Sequence, residues 1–387
     1  MNGDLAQRIL RHLRERMPIM IDTVMQLVRA ESPSTVPQSQ DPVLSMLGER
    51  LGRMCYKVWM LKGRNCGGHL YARPRGRTHR PVQLLLGHCD TVWPLGTLKE
   101  MPLTLSEGML KGPGSYDMKA GLVQMLEALE VLQAFDLKPT LIPVVFINSD
   151  EEIGSRDSTR HIRRLARLAE RVMVMEPSLG LEGKLKTARK GVGRFTVTVK
   201  GKAAHAGLNP ESGASAILEL SYVIQKLFAL NDPQAGISVN VGTIDGGLGS
   251  NVVAPESRAS VDVRVVTLED ACRIEQSILA LTPVTPGVRL EIEGRIGRSP
   301  MERTPANDTL WRAAREIGQR IGLNLDHGLA GGASDGNTTS LYTATLDGMG
   351  AVVDGAHARH EFVFCEKMPE RSALLALLLL MPSMAAN

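Results

Sequence analysis

With 387 residues, 43% of them apolar, and no low-complexity tract, the chain is long enough to build two domains with sizeable cores. Its 45 basic and 41 acidic residues leave a net charge of +4, too mild to make a nucleic acid the default partner. Five cysteines, Cys55, Cys66, Cys89, Cys272 and Cys365, are odd in number and share no close spacing. That pattern argues against a disulfide framework or a thiolate zinc knuckle and suits a reducing, cytoplasmic compartment.

In chain order, MNGDLAQRILRHLRERMPIMIDTV is amphipathic and charged throughout, so it predicts an ordinary first helix and lacks the apolar core of a secretory signal. The arginines of KGRNCGGHLYARPRGRTHRP (Arg64, Arg73, Arg75, Arg77 and Arg80) read as a solvated strand-and-turn surface. Strands and helices then alternate: VQLLL over 82–86, the helix MKAGLVQMLEALEVLQAF over 118–135, LIPVVFI over 141–147, a basic helix near 157–170, and RVMVM over 171–175. Continuous apolar strands between helices imply a sheet covered on both faces. Leu122, Met125, Leu126, Leu129 and Leu132 recur at three- and four-residue spacing and predict one core-facing stripe.

After residue 185 the texture changes. GRFTVTVKG, ISVNVGTIDGG, SRASVDVRVV and VRLEIEG read as strands around the helix ASAILELSYVIQKLFAL, the outline of a small α+β layer. Helix and strand segments return from about residue 299, and the final ALLALLLLM is about half the roughly 20 residues of a membrane span, so it predicts a buried C-terminal helix. The expected architecture is an α/β catalytic domain, residues 1–185 and 299–387, interrupted by an inserted α+β domain over 186–298.

In an open α/β sheet, ligands sit beyond the carboxyl ends of the strands. VQLLLG is followed there by His88, LIPVVFINSD by Glu151 and Glu152, and RVMVM by Glu176. Asp117 opens the 118–135 helix from the Gly-rich GPGSYDMKAG, and a further candidate, His357, lies in DGAHARHEFV. Each has a plain structural reading alone, as a core histidine, a helix cap or a solvated turn. Together they converge on one crevice with nitrogen and carboxylate ligands and no thiolate, a set that suits zinc, with cobalt or manganese as substitutes. Three carboxylates are too many for one structural ion and match two dications sharing a bridging carboxylate. Asp90, two residues from His88, is placed to orient its imidazole, and Glu151, beside a ligand but on the other side of the backbone, to move protons as general base.

The segments GHCDTVWP, GPGSYDMKAG, NSDEEIGS, MEPS, RKGVGRFTVTVKGKAAHAG, SNVVAPESRASVDVR, GGASDGN and GAHARHEF resemble the two-zinc aminoacylase and carboxypeptidase family over nearly the whole chain. That family includes glutamate carboxypeptidases, acetylornithine deacetylases and succinyl-diaminopimelate desuccinylases. The resemblance implies a mixed-sheet α/β/α zinc-hydrolase domain with an inserted ferredoxin-like domain that dimerises. It implies that Asp117 bridges two Zn2+ ions, that His88 and Glu176 complete one site and Glu152 and His357 the other, and that Glu151 is the base. It also selects His357 over His360, four residues before Glu361. His205 matches a histidine that reaches across the dimer to the scissile carbonyl, and Asn251, Arg264 and Gly332 match positions near the substrate. Arg298 resembles an arginine gripping the substrate's terminal carboxylate, with Arg295 as the competing choice.

The expected function is therefore a cytoplasmic, homodimeric two-zinc hydrolase that releases a C-terminal amino acid from a small peptide or N-acyl amino acid, with no membrane or nucleic-acid partner. The alternative is an N-acyl amino acid deacylase of the acetylornithine or desuccinylase kind. More remote are a non-catalytic metal-binding homologue and nucleotide binding through GPGSYDMKAG, which lacks both the GK[ST] ending and the G-x-G-x-x-G spacing.

Overall fold

The computed structural model describes residues 3–76 and 81–384. Of the arginine-rich stretch, Arg64 and Arg75 are exposed and Arg73 half-buried, while Arg77 and Arg80 lie outside the described residues. Two compact units divide the chain: Met1–Thr187, Arg303–Leu329 and Ser334–Asn387 form the first, Ala188–Glu302 and Ala330–Ala333 the second.

The first unit is built on a six-stranded mixed sheet in the order Tyr56–Leu61, His69–Pro74, Ile142–Asn148, Val82–His88, Ala169–Val174, Ala344–Leu346. The last four strands run parallel, and the first two are antiparallel additions at one edge. The pleat sorts Val82–His88 by parity: Leu84 and Leu86 pack on one face with Phe146, Ile162 and Val172, and Leu85 packs on the other with Val145 and Met173. Helix Thr159–Leu168 covers the first face. Helices Gly3–Glu15, Met17–Arg29, Asp41–Arg53, Ala120–Ala134 and Lys367–Leu379 build the larger core on the second.

Two helices depart from their expected form, and the C-terminal helix is buried as expected. The N-terminal stretch is two helices, not one, because Pro18 lacks an N–H and fits only the first turn of a new helix, so the chain breaks at Arg16. Helix Ala120–Ala134 buries Val123, Ala128 and Val131 as well as the predicted stripe, since helices flank it on the side away from the sheet. Its buried Glu127 is held by Arg16 and Arg50. The C-terminal helix is buried from Ala373 to Leu379, and Arg171, itself fully buried, donates to the carbonyls of Leu378, Met381 and Pro382 at its end. No described helix is long and apolar enough to cross a membrane.

The second unit is a four-stranded antiparallel sheet, in the order Ser238–Gly246, Glu256–Val265, Gly191–Lys200, Arg289–Arg298. Strict alternation in Gly191–Lys200 turns Phe195, Val197 and Val199 onto one face under helices Ala216–Phe228 and Leu268–Leu279. The chain order strand, helix, strand, strand, helix, strand is ferredoxin-like. Helix Leu268–Leu279 adds to the expected elements, and Thr267-Leu-Glu-Asp270 announces it. Asp270 donates its backbone N–H to the Thr267 hydroxyl at 3.0 Å, and that hydroxyl donates to the Asp270 carboxylate at 2.7 Å.

Candidate active site

Three neighbouring parallel strands deliver the site. Val82–His88 lies between Ile142–Asn148 and Ala169–Val174, so His88, Glu152 and Glu176 leave adjacent carboxyl ends of one sheet. Asp117 comes from the tight turn Ser115–Lys119 that opens the Ala120–Ala134 helix, and its peptide bond to Met118 is cis. The turn needs Gly114, whose φ of +76° is left-handed and whose added Cβ would lie 2.5 Å from the Thr91 methyl. Close packing continues at Gly121, where a Cβ would meet the Met175 carbonyl oxygen at 2.1 Å.

Asp117 is the centre of the arrangement. One of its oxygens, Oδ1, is 3.0 Å from His88 Nε2, and the other, Oδ2, is 3.7 Å from His357 Nε2. Glu176 Oε1 lies 3.5 Å from the same nitrogen of His88, and Glu152 Oε2 lies 3.5 Å from that of His357. Two ligand triads therefore share one carboxylate. His357 takes the left-handed φ of +53°, a conformation histidine visits more readily than most residues, and its side chain is half exposed.

Asp90 does more than stand behind the histidine. The Nδ1 of His88 faces the backbone carbonyl of Asp90 at 3.0 Å and its carboxylate only at 3.4 Å. The carboxylate is instead spent on the neighbouring loop: it accepts from the backbone N–H groups of Glu151 and Glu152, at 3.2 and 3.1 Å, and from the Ser34 hydroxyl at 2.7 Å. His88 Nδ1 thus faces both acceptors of Asp90, the carbonyl at the shorter distance and the carboxylate beside it. Glu151 itself is half-buried.

Charge explains the titration behaviour of the cluster. Burial pushes His88 down, but hydrogen bonds to Asp117, Asp90 and Glu176 outweigh it and hold the imidazole well above its ordinary value. Hydrogen bonds to Asp117 and then Glu152 raise His357 to about 10. Burial raises Asp117, but hydrogen bonds from His357 and His88 reverse this and hold it far below the usual carboxylate range. Burial, with the charge of Asp117, raises Glu152 to about 7. On the protein groups alone, three carboxylates crowd two imidazoles, and Glu152 Oε1 is buried with no hydrogen-bond partner. Zinc ligands at about 2.0–2.1 Å in tetrahedral arrangement stand about 3.4 Å apart, close to these nitrogen–oxygen separations. The donor set fits a pair of dications.

Two supporting carboxylates gain definition only from the fold. Glu361 is fully buried and accepts from the backbone N–H of Gly114; burial raises it to about 8. Asp335, in GASDGN, accepts from Asn148 Nδ2 and Ser155 Oγ, both at 2.5 Å, and braces the end of the Ile142–Asn148 strand. Neither Ser34 nor Asp335 is marked in sequence by a strand end or ligand spacing.

Comparison with known proteins identifies this architecture. A family model described as peptidase dimerisation domain matches residues 187–282. Succinyl-diaminopimelate desuccinylase from Delftia acidovorans is 30% identical over 287 residues, 69% of this chain and 73% of that protein. The chain belongs to the M20 metallopeptidase family. Carboxypeptidase G2 from a Pseudomonas strain is 28% identical over 258 residues, 66% of this chain and 62% of that protein's length. Among solved structures, aminopeptidase PepT from Bacillus cereus aligns over 95% of this chain and 98% of its own with a TM-score of 0.79 at 19% identity, a likeness of fold. As an M20 protein, the chain is a metal-dependent hydrolase of the peptidase and amidohydrolase kind.

The remaining candidates of this M20 chain all lie in its second unit. His205 is exposed, pairs through an isolated bridge with Val252, and its Nδ1 accepts from the Gly207 N–H at 3.1 Å. Beside it, the carbonyl of exposed Asn251 accepts from the Ala206 N–H at 2.9 Å. The Arg264 guanidinium is engaged by Asp262 in a fork at 2.7 and 3.1 Å. A register shift between Ile296 and Arg298 sets Arg298, half-buried, apart from the exposed Arg295 opposite Arg194. Gly332 is exposed, and its carbonyl accepts from Arg189 at 3.0 Å.

Proposed function

We propose that this chain is a two-metal exopeptidase that hydrolyses the amide bond of a small peptide or N-acyl amino acid and releases the C-terminal amino acid. The observation that carries the reading is Asp117, whose two oxygens face His88 and His357 in two triads completed by Glu176 and Glu152. Those five residues would hold two zinc ions, with cobalt or manganese as substitutes. The chemistry supplied by such a pair is that of a Lewis acid, polarising the scissile carbonyl and acidifying a water.

Glu151 takes a proton from the attacking water at a carboxylate oxygen and returns it to the leaving nitrogen, held in register by the bond from its backbone N–H to Asp90. His205, supplied by the second subunit of a homodimer, donates to the oxygen that becomes negative, while Asn251 and Arg264 contact the substrate near Gly332. Arg298 grips the terminal carboxylate with its planar fork. The dimer is supported by the dimerisation-domain match and by helix Ala216–Phe228, which exposes Ile217, Leu218 and Tyr222 while Leu220, Val223 and Leu227 face its own core.

Glu151→Gln is expected to keep its metal and lose about 10²–10⁴-fold in kcat. Wild-type turnover in a fully metallated variant would remove Glu151 from the mechanism. The second reading, deacylation of an N-acyl amine, is favoured by the desuccinylase relative at 30% identity. Kinetics on N-acyl glutamates against succinylated and acetylated amines separate the two. Arg298→Ala is expected to weaken kcat/KM for substrates whose leaving amine carries a carboxylate while Arg295→Ala leaves it unchanged; the reverse pattern would exchange their roles.

A further inference from the structure

A second group of ligand-type side chains lies in the first unit, where the loop before strand His69–Pro74 meets the segment following strand Ile142–Asn148. Cys66 Sγ is 4.0 Å from His69 Nε2 and 3.6 Å from Asp157 Oδ2, and the last two atoms are 4.0 Å apart, a nearly equilateral triangle. Cys66 and His69 are buried, and the Asp157 side chain is only 8% exposed. The Cys66 thiol donates to Asp157 Oδ2, but hydrogen bonding leaves the other two edges of the triangle unexplained. A separation of 4.0 Å is too long for an N–H···O hydrogen bond, and both His69 Nδ1 and the neighbouring Asp150 Oδ1 are buried without a hydrogen-bond partner.

A tetrahedral zinc bound at about 2.3 Å to sulfur and about 2.0–2.1 Å to nitrogen and oxygen sets ligand–ligand edges of about 3.3–3.6 Å. Closing the present triangle onto such an ion takes movements of less than about 0.7 Å per edge. Charge fits as well, because a thiolate, a carboxylate and a neutral imidazole around a dication leave a buried site with no net charge. Burial holds His69 below its ordinary value and so in its neutral, ligating form. Burial raises the Cys66 thiol, a cost that coordination reverses by releasing its proton to solvent.

We infer that Cys66, His69 and Asp157 form a separate structural site for a zinc-type dication. It ties the 62–68 loop to the segment that carries Glu151 and Glu152. The backbone already prepares this staple: Arg64 donates its N–H to Asp157 at 2.5 Å, and Asp157 and Ser158 donate theirs to Asp150 at 2.7 and 3.2 Å.

Cobalt substitution reads the site directly, because a sulfur-to-cobalt charge-transfer band requires a thiolate and the Asp117-centred triads offer only nitrogen and oxygen. The full chain, stripped with chelator and titrated with Co2+, is expected to develop that near-ultraviolet band and to bind one more ion per chain than Cys66→Ser, which loses the band. Cobalt-loaded wild type without the band, or a band that persists in Cys66→Ser, would overturn the assignment. A measurement on the unaltered chain covers misfolding of the variant. Zn2+ is expected to slow alkylation of Cys66, followed by mass spectrometry, at least tenfold, and equal rates with and without the metal would also overturn it.

Discussion

At the scale of single residues, Asp90 and Asp117 carry the organisation of the site in different ways. Asp117 faces both imidazoles, whereas Glu176 faces only His88. Asp117→Asn is therefore expected to empty the Asp117-centred site of both ions, and Glu176→Gln to leave one ion there, as measured by elemental analysis after gel filtration; equal losses would argue against a shared ligand. Asp90 acts through the backbone of the 150–158 loop, since its carboxylate accepts from Glu151, Glu152 and Ser34. Asp90→Ala is expected to cost about 10–100-fold in activity or metal affinity, as for other groups that orient ligands. Kinetics with saturating metal distinguish the two contributions.

Among elements, the helix Ala120–Ala134 is the most exposed to disruption because it is buried on nearly every side yet holds an ionised pair. Glu127 is fully buried and accepts from Arg16 at 2.6 Å and from Arg50, while Glu130 accepts from the same two arginines at 2.5 and 2.6 Å. Glu127→Ala leaves two partly buried guanidinium groups with Glu130 as their shared carboxylate and some donors unpaired, and is expected to destabilise the fold by about 1–3 kcal/mol in denaturant unfolding. Glu130 adds a pH dependence. Burial raises its carboxyl, but the hydrogen bond from Arg50 and the charges of Arg50 and Arg16 reverse this and hold it below its ordinary value of 4.5. The unfolded chain then binds the proton first, so the stabilisation is fully present above about pH 4.5 and is lost as pH falls through the folded value. The stability gap between wild type and Glu130→Gln should shrink below that pH, and a gap that stays constant would show that the ion pair contributes nothing.

At the scale of the whole molecule, the prediction concerns assembly. Leu218 and Tyr222 stand one helical turn apart on the exposed side of Ala216–Phe228, 46% and 39% accessible, where a lone surface helix would carry polar residues. The double substitution Leu218→Arg with Tyr222→Arg is expected to convert a dimer to monomers in sedimentation velocity. If His205 acts across the interface, the monomer keeps its metal and loses activity; an active monomer would confine catalysis to one chain.

The sequence by itself determined the parallel sheet and the edge from which its polar residues emerge. VQLLL, LIPVVFI and RVMVM are apolar runs whose local pattern sets strand and face, and a polar residue directly after such a run must emerge at the carboxyl edge. His88, Glu152 and Glu176 were legible for that reason, as was the change to strict alternation that marks the second unit. Tertiary structure decided the rest. The sequence could not tell that the carbonyl of Asp90 rather than its carboxylate lies nearest His88, that Ser34 holds Asp90 and Asp335 buttresses the 150–158 loop, or that Cys66 and His69 meet Asp157. These pairings join positions up to 187 residues apart, such as Asn148 with Asp335. Periodicity and turn chemistry act over a few neighbours, whereas which distant groups come within hydrogen-bonding distance depends on how the helices pack on the sheet.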